Sequence, residues 1–323
     1  MWSFRKLAPA TLLAICAISV QAQQPSRRVA FEVVAVDSSG NPVPDLTPSD
    51  FTVFDNGTRQ TTVSVHLNQS AEARPLVILF DLLNSNLNTR GPIWDAMKTM
   101  LAHLPANGPF YLYLLTENGS LYAVHGVDAP EGGSWIEDSG HLLDTAMRDT
   151  AQLRPQDLRA SSVIALPRRF ETTTKALSEL GQRMGVLHGR KDLLWVTYGF
   201  PSSIRLAGQG WWDGSPLLRQ LGGQFAESGI TIYTADPGIN LATGILDRDS
   251  LDILTGATGG HPFQSIALDQ VVARMEADSR TNYSIEYQPP ARNWDGKYHK
   301  LRVKVARKGV RLQNENGYFA VGS

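Results

Sequence analysis

Two carboxylates each follow an apolar run that is typical of a buried strand. Asp81 follows the run 76–80, and Asp236 follows the run 230–234. Because ligands of open α/β sheets bind outside the carboxyl ends of the strands, we expect both side chains to line one crevice. A local role is also open: Asp81 can accept hydrogen bonds from the loop behind it, and Asp236 can form a turn with Pro237-Gly238.

Sequence motifs of known catalytic sites are absent. The chain has no Gly-x-Ser-x-Gly elbow, no His-Glu-x-x-His, no phosphate loop and no dinucleotide fingerprint. Its seven histidines are scattered without metal-ligand spacing. We therefore predict that the protein is not an enzyme. An unrecognised site in the long, poorly periodic segment 128–169, where a helix is expected near 142–153, is the alternative.

Trp211 and Trp212 are adjacent in a glycine-rich stretch that resembles a loop. Exposed aromatic side chains often anchor protein partners, because they bury a large area at a small entropic cost. The alternative is a lid that folds both rings onto the edge of the sheet.

The middle of the chain alternates apolar runs with amphipathic stretches. Runs that are apolar on both sides fit strands of a parallel sheet that is covered on both faces. We therefore predict a doubly wound, mainly parallel α/β sheet with right-handed crossovers. The predicted strands are 76–80, 110–115, 193–196 and 230–233, and the predicted helices are 93–104, 177–187, 217–225 and 268–275.

Both ends of the chain have the alternation of antiparallel strands. It occurs at 29–35 and 62–67, and again at 283–287, 301–305 and 318–321. Neither end buries enough surface alone, since small β ribbons are marginal in water. We expect the terminal strands to form one β-sandwich-like unit beside the α/β domain.

The first residues indicate the compartment. Two basic residues precede an apolar run at 7–20 and a small-x-small cleavage site that ends at Ala22, which is typical of a secretory signal peptide. An uncleaved anchor and lipidation at Cys16 are the alternatives. Cleavage would remove Cys16, the single cysteine, and so exclude disulfides and thiolate sites. We expect a secreted or periplasmic protein with no membrane span after cleavage.

Several segments carry a resemblance to a known family. The run 76–81 and the helix after it resemble the start of a von Willebrand factor A domain. The segments DFTVFDNG (50–57), HGRKDLLWVTYGFP (188–201), NWDGKYHK (293–300) and GYFA (317–320) resemble bacterial von Willebrand factor A-related secreted proteins, which are abundant in acidobacteria. The resemblance extends over nearly the whole mature chain and implies a binding function.

The resemblance also implies a cation site, with the pattern Asp-x-Ser-x-Ser at the end of the first strand. Such oxygen ligands suit Mg²⁺. Asp81 matches the Asp and Ser85 the second Ser, but Leu83 replaces the first Ser. Asn84 and Asn86 offer substitute oxygens without charge.

The other two ligands of the family pattern are a Thr and an Asp from later loops. Thr172, or a neighbouring threonine at 173 or 174, corresponds to the Thr, whereas Tyr198 stands where the Asp belongs. Because two oxygen ligands are lost, we expect a degenerate site and no cofactor. If Mg²⁺ does bind, Asp81 and Ser85 are the expected ligands.

The sequence therefore predicts an exported binding or scaffold module; a structural envelope component is the alternative. Its net charge of −1 gives no reason to expect nucleic acid as a partner, and the protein partner stays unidentified. The predicted organisation is a signal peptide (1–22), an N-terminal β segment (23–70), a von Willebrand factor A-like domain (71–280) and a C-terminal β segment (281–323). The predicted crevice residues are Asp81, Asn84, Ser85, Asn86, Thr172, Tyr198 and Asp236.

Overall fold

The computed structural model of the chain describes residues 28–70, 72–84, 90–106, 108–129, 135–151, 165–206, 210–235, 248–264, 267–290 and 293–320. The predicted signal peptide and the predicted site residues Ser85, Asn86 and Asp236 lie outside these ranges. Within them, no helix has the length and apolar character that a bilayer span requires.

The elements follow the three-part pattern of the sequence. The N-terminal segment forms β1 (Val29–Val36), β2 (Phe51–Asp55), β3 (Thr58–Gln60) and β4 (Thr62–Gln69). The middle forms β5 (Leu76–Asp81), α1 (Arg90–Ala102), β6 (Phe110–Leu115), β7 (Leu121–His125), α2 (Ser139–Ala151), α3 (Ala165–Met184), β8 (Lys191–Val196), β9 (Ser203–Leu206), β10 (Gly210–Asp213), α4 (Ser215–Glu227), β11 (Ile230–Ala235), α5 (Asp249–Thr258), β12 (Pro262–Phe263) and α6 (Leu268–Arg280). The C-terminal segment forms β13 (Thr281–Tyr287), β14 (Tyr298–Val305), β15 (Arg311–Asn314) and β16 (Gly317–Phe319).

The central sheet has six strands in the order β12-β11-β8-β5-β6-β7. β7 is antiparallel to β6, and the other neighbours in this sheet are parallel. Alternate side chains of β5 enter two cores: Ile78 packs with α1, α2 and α6, and Val77 packs with α3, α4 and α5. Helices thus cover both faces, which confirms the predicted mainly parallel α/β sheet.

The strand order reverses beside β5. The chain passes through α1 to β6 on one side, and later returns through α2 and α3 to β8 on the other. A reversal of this kind leaves a crevice outside the carboxyl ends of the two central strands. Asp81 ends β5, and Thr197 directly follows β8, so both lie at this crevice.

The β unit, which we define as β1–β4 with β13–β16, consists of two four-stranded sheets. Their orders are β15-β1-β13-β4 and β16-β14-β2-β3, so each sheet combines N-terminal and C-terminal strands. Phe31 and Tyr283 from one sheet share a core with Val53 and Leu301 from the other. Neither end of the chain can therefore complete this core alone.

Several short elements differ from the sequence-based expectation. Trp211 and Trp212 lie on β10, which forms an antiparallel hairpin with β9, and not in a loop. The hairpin was missed because its strands have four residues each and no buried apolar run. The strands β2, β3, β7 and β15, the two-residue β12 and the helix α5 were also not predicted.

Charged side chains join the β unit to the α/β domain. Arg74 Nη2 lies 3.0 Å from Glu32 Oε2 on β1, and Arg190 Nε lies 3.0 Å from Glu32 Oε1. The second terminal nitrogen of Arg74, Nη1, lies 3.9 Å from Oδ1 of Asp192, the second residue of β8. Because Arg74 and Glu32 are at most 20% exposed, this contact is screened less than a surface ion pair.

Candidate functional site

The crevice between β5 and β8 is organised around Asp81, which is 1% exposed. Oδ1 accepts a hydrogen bond from the Asn84 backbone N–H at 2.8 Å. Oδ2 accepts three more, from Asn84 Nδ2 at 2.8 Å, Thr197 Oγ1 at 2.9 Å and Trp195 Nε1 at 3.2 Å. The Thr197 hydroxyl in turn accepts from the Gly199 N–H at 3.1 Å. Asp81 thereby fixes the loops after β5 and β8 relative to each other.

Burial and hydrogen bonding have opposite effects on this carboxyl group. Burial raises the pKa of Asp81, because it disfavours the charged form, and this effect is the largest. The hydrogen bonds from Asn84, Thr197 and Trp195 lower the pKa in part. The net pKa stays above the ordinary value for Asp.

Arg169 on α3 adds a positive charge beside Asp81. Burial lowers the pKa of the Arg169 guanidinium, and the charge of Asp81 raises it in part. Its Nε is buried and has no hydrogen-bond partner, and the same holds for Asn84 Oδ1. A donor and an acceptor are therefore both left unmatched beside one buried carboxylate.

Sequence reasoning missed Arg169. It lies at the end of the segment 128–169. The weak periodicity of this segment does not indicate which side of a helix Arg169 occupies or whether it is buried. The sequence does place Arg169 one helical turn before the candidate threonines of α3, and this spacing could have indicated that it lies near Asp81.

The three candidate threonines of α3 point to different places. Thr173 is fully buried, and its Oγ1 accepts a hydrogen bond from Asn84 Nδ2 at 3.1 Å. The Thr172 methyl group lies against Gly119 instead, and Thr174 Oγ1 donates to the Phe170 carbonyl at 2.9 Å. Thr173 is therefore the threonine of α3 that joins the Asp81 network.

Tyr198 follows Thr197 and is half-buried against the core on the α1 side of the sheet. It also lines a small pocket at the carboxyl ends of β8 and β11, together with Thr234, Arg248 and Gln264. Gly199, which follows, has φ of +84°, a backbone conformation that favours glycine. The aromatic Tyr198 thus occupies the place of the third-loop Asp in the family pattern.

These residues do not fit a Mg²⁺ site. The Asp81 oxygens already accept four hydrogen bonds, whose N–H and O–H hydrogens bring positive partial charge to where a cation would lie. Arg169 adds a full positive charge nearby. Leu83 is 1% exposed in an apolar core and offers no oxygen from its side chain. Within the described ranges, no cluster of three His, Cys, Asp or Glu side chains could hold a metal ion.

The two tryptophans have different environments. Trp211 is 73% exposed, whereas Trp212 packs edge-on against Phe170 with ring centroids 4.8 Å apart. Phe170 also contacts Phe200, which follows the loop after β8, at 5.5 Å. These rings connect the hairpin to the Asp81 network, since Phe200 also packs against Trp195, which donates a hydrogen bond to Asp81.

A second polar network lies in the β unit, around Asp55 at the end of β2. His299 Nδ1 lies 2.7 Å from Asp55 Oδ1, and Oδ2 accepts from Tyr287 at 3.1 Å and Tyr318 at 3.0 Å. The other ring nitrogen of His299 lies 3.2 Å from Asp295 Oδ1. Segments 50–57, 293–300 and 317–320, which carry much of the family resemblance, therefore meet here.

Comparisons with known proteins give distant similarities. No family model matches the chain, and no curated protein matches it. Among solved structures, it is similar to the PilB minor pilin from Streptococcus sanguinis, at 11% identity and a TM-score of 0.38, over 65% of this chain and 63% of the pilin. It is also similar to a von Willebrand factor type A protein from Catenulispora acidiphila, at 12% identity and a TM-score of 0.40, over 92% of this chain and 75% of that one. Neither similarity is close enough to assign a function.

Proposed function

We propose that this chain is an exported protein-binding or scaffold module, built on a von Willebrand factor A-like domain with a degenerate metal site. The four sequence segments and the strand reversal beside β5 support the domain assignment. The basic and apolar start of the sequence supports export. The absence of catalytic motifs from the sequence supports binding without catalysis.

The observation that carries the proposal is the unmatched pair at the crevice. Arg169 Nε lacks an acceptor and Asn84 Oδ1 lacks a donor, and both atoms are shielded from water. An unmade hydrogen bond at a buried polar group costs about 1–3 kcal/mol. A protein partner relieves that cost when the crevice opens and a carbonyl or carboxylate meets Arg169 while an N–H meets Asn84.

Recognition then depends on hydrogen bonding and shape, and a cation is not needed. Arg169 supplies the positive charge that would otherwise come from a metal, and its planar guanidinium suits a carboxylate or carbonyl acceptor. Trp211, exposed on the hairpin that packs against Phe170, adds an apolar contact at the edge of the same surface.

The test is capture of envelope proteins by the tagged mature chain, with Arg169→Gln as the variant. Arg168→Gln is the matched control, because Arg168 is exposed on the same helix and is adjacent in sequence. We expect the wild type and Arg168→Gln to retain one stoichiometric protein, and Arg169→Gln to lose it with an unchanged circular dichroism spectrum. Equal capture by all three would refute the role of the crevice. Self-assembly of the chain, or retention of a small molecule alone, would favour the envelope-component or enzyme alternative.

A further inference from the structure

A separate pocket lies at the junction of the α/β domain and the β unit. It is lined by His261 and Phe263 at β12, Gln270 and Arg274 on α6, and Arg311 and Gln313 on β15. We call it the seam pocket. It shares no residue with the Asp81 network, so a ligand bound here is independent of the proposed function.

Two guanidinium groups of the seam pocket form no ion pair with a described carboxylate, although the charge of Arg274 lowers the pKa of Asp278 from a longer distance. Across the described residues, no carboxylate lies within the 4.0 Å ion-pair distance of Arg274 or Arg311. Arginine is over-represented where carboxylate and phosphate groups are bound, because its planar fork can make two parallel hydrogen bonds.

The β unit holds Arg274 in a defined position. Arg274 Nη2 lies 3.4 Å from the Ser39 carbonyl oxygen, in the turn after β1. The next residue, Gly40, has φ of +81°, and a Cβ at Gly40 would overlap the Arg274 guanidinium. The turn therefore needs glycine for its backbone conformation, and the lack of a Cβ leaves the space that the Arg274 guanidinium occupies. A guanidinium that is already ordered loses less entropy when it binds an anion.

The carboxyl group nearest the pocket, that of Asp278, carries less than a full negative charge at neutral pH. Asp278 Oδ2 lies 3.9 Å from His261 Nδ1. Burial raises the pKa of Asp278 to about 7, with Arg274 opposing the rise. The carboxyl group is thus partly protonated at neutral pH and repels an incoming anion less. Burial, followed by the charges of Arg274 and Arg311, lowers the pKa of His261 to about 4, so the imidazole is neutral.

The remaining wall is aromatic, with the planes of its two rings tilted by 60° to each other. The rings of His261 and Phe263 lie 4.3 Å apart, and Phe263 stacks on Tyr233 at 6.0 Å. Gln313 lies close enough to raise the pKa of His261 in part, but neither His261 Nδ1 nor Gln313 Oε1 has a partner at good hydrogen-bond distance and angle. Buried polar atoms are usually well paired, so these two atoms beside the cavity keep hydrogen-bonding capacity for a ligand.

From these features, we propose that the seam pocket binds a small organic oxyanion with a flat aromatic body. Arg274 and Arg311 hold the carboxylate or phosphate group. The ring of the ligand packs on the face of Phe263, beside His261. Because α6 and β15 belong to different parts of the fold, the bound anion bridges the α/β domain and the β unit.

The proposal is tested by calorimetric titration of the mature chain at pH 7 and constant ionic strength. The probes are phenyl phosphate, benzoate and inorganic phosphate, so that the oxyanion and the ring are varied separately. We expect saturable binding, with phenyl phosphate or benzoate at least about fivefold tighter than inorganic phosphate, because the ring buries apolar area. The better of the two aromatic probes identifies the type of oxyanion.

The variants are Arg274→Gln with Arg311→Gln, and Arg311→Gln alone in case the double variant disturbs the turn at Gly40. Arg302→Gln on β14 is the control, because Arg302 is also an exposed strand arginine. The double variant is expected to weaken binding about tenfold or more, and the single variant about threefold. Arg302→Gln should leave the Kd unchanged. An absence of saturable binding up to about 10 mM, or equal weakening by Arg302→Gln, would overturn the proposal.

Discussion

Asp55 and Asp81 are both carboxylates with 1% exposure and several hydrogen-bond donors, yet their surroundings differ. The donors to Asp55 come from β13, β14 and β16 and from Asn293, which are separated from it by 232 residues or more. The donors to Asp81 come from the loop after β5 and from the end of β8. One network joins the two termini of the chain inside a core, and the other joins two loops at a crevice.

The difference shows how a buried carboxylate acquires a role. Around Asp55, tyrosine and histidine from three strands close the network, and Tyr287 crosses from the opposite sheet to reach it. Around Asp81, Arg169 Nε and Asn84 Oδ1 stay unmatched. A closed network stabilises the fold, whereas an open one leaves hydrogen-bonding capacity for a ligand.

The largest effect is expected from Asp55→Ala. It leaves Tyr287, Tyr318 and His299 without their common acceptor in a core that both termini build. We expect a loss of about 3–5 kcal/mol in the free energy of unfolding, as for a buried charged network that loses one member. Urea denaturation followed by circular dichroism measures this loss.

Asp295→Asn serves as the control for that network, because Asp295 contacts His299 at 3.2 Å but is 37% exposed. It should cost less than about 1 kcal/mol. If Asp55→Ala cost no more than Asp295→Asn, the Asp55 network would not be what unites the two sheets.

Asp81→Ala is expected to cost less, about 2–3 kcal/mol. The buried Trp195 and Thr197 lose their acceptor, but Asn84 is only half-buried and can turn to water, and burial already disfavours the charged form of Asp81. The same urea titration gives the value. A loss as large as that of Asp55→Ala would mean that the crevice network is equally closed, which would contradict the comparison.

The same variant tests the metal. Calorimetric titration with Mg²⁺, Mn²⁺ and Ca²⁺ should give no saturable binding in the wild type, because hydrogen-bond donors and Arg169 surround Asp81. Low-micromolar binding to the wild type that Asp81→Ala abolishes would show a working cation site in spite of Leu83 and Tyr198.

Asp278 extends the comparison to a carboxyl group with still fewer partners. It is 1% exposed, and its Oδ2 accepts no hydrogen bond. Burial raises the pKa of Asp278 to about 7. A folded-state pKa above the unfolded value means that the folded state binds more protons, so this group makes the protein less stable as the pH rises from about 4 to about 7.

Asp278→Asn should therefore stabilise the protein more at pH 8 than at pH 5, with a difference of about 1–2 kcal/mol. Burial also raises the pKa values of Asp192 and Glu315 to about 7. The stability of the Asp278→Asn variant therefore still falls between pH 4 and pH 7, but less steeply than that of the wild type. His261 acts oppositely: its pKa of about 4 removes stability as the pH falls from 6.5 to 4. Melting temperatures at pH 5 and pH 8 distinguish these outcomes, and an equal shift at both pH values would exclude a titration effect.

The sequence predicts the elements that are determined by neighbouring residues in the chain. The run 76–80 identifies β5 because burial on both faces requires continuous apolar residues, and Asp81 is found because it ends that run. The partners of Asp55 could not be predicted, since strand pairing over more than 200 residues leaves no local pattern. Arg169 was missed for a related reason: its depth depends on how α3 packs under the loops, and not on its neighbours in sequence.

We expect the smallest effect on stability at the hairpin. Variants there also distinguish residues that stabilise the fold from residues that bind a partner. Trp211→Ala should change the free energy of unfolding by less than about 0.5 kcal/mol, because the ring is 73% exposed. Trp212→Ala, the matched neighbour, should cost about 1 kcal/mol through its lost contact with Phe170. Partner capture should show the reverse order, with the larger loss for Trp211→Ala, since an exposed ring beside an open network is free to enter an interface. If Trp212→Ala lost stability while neither variant lost capture, the hairpin would be a lid over the crevice, and the open character of this region would rest on Arg169 and Asn84 alone.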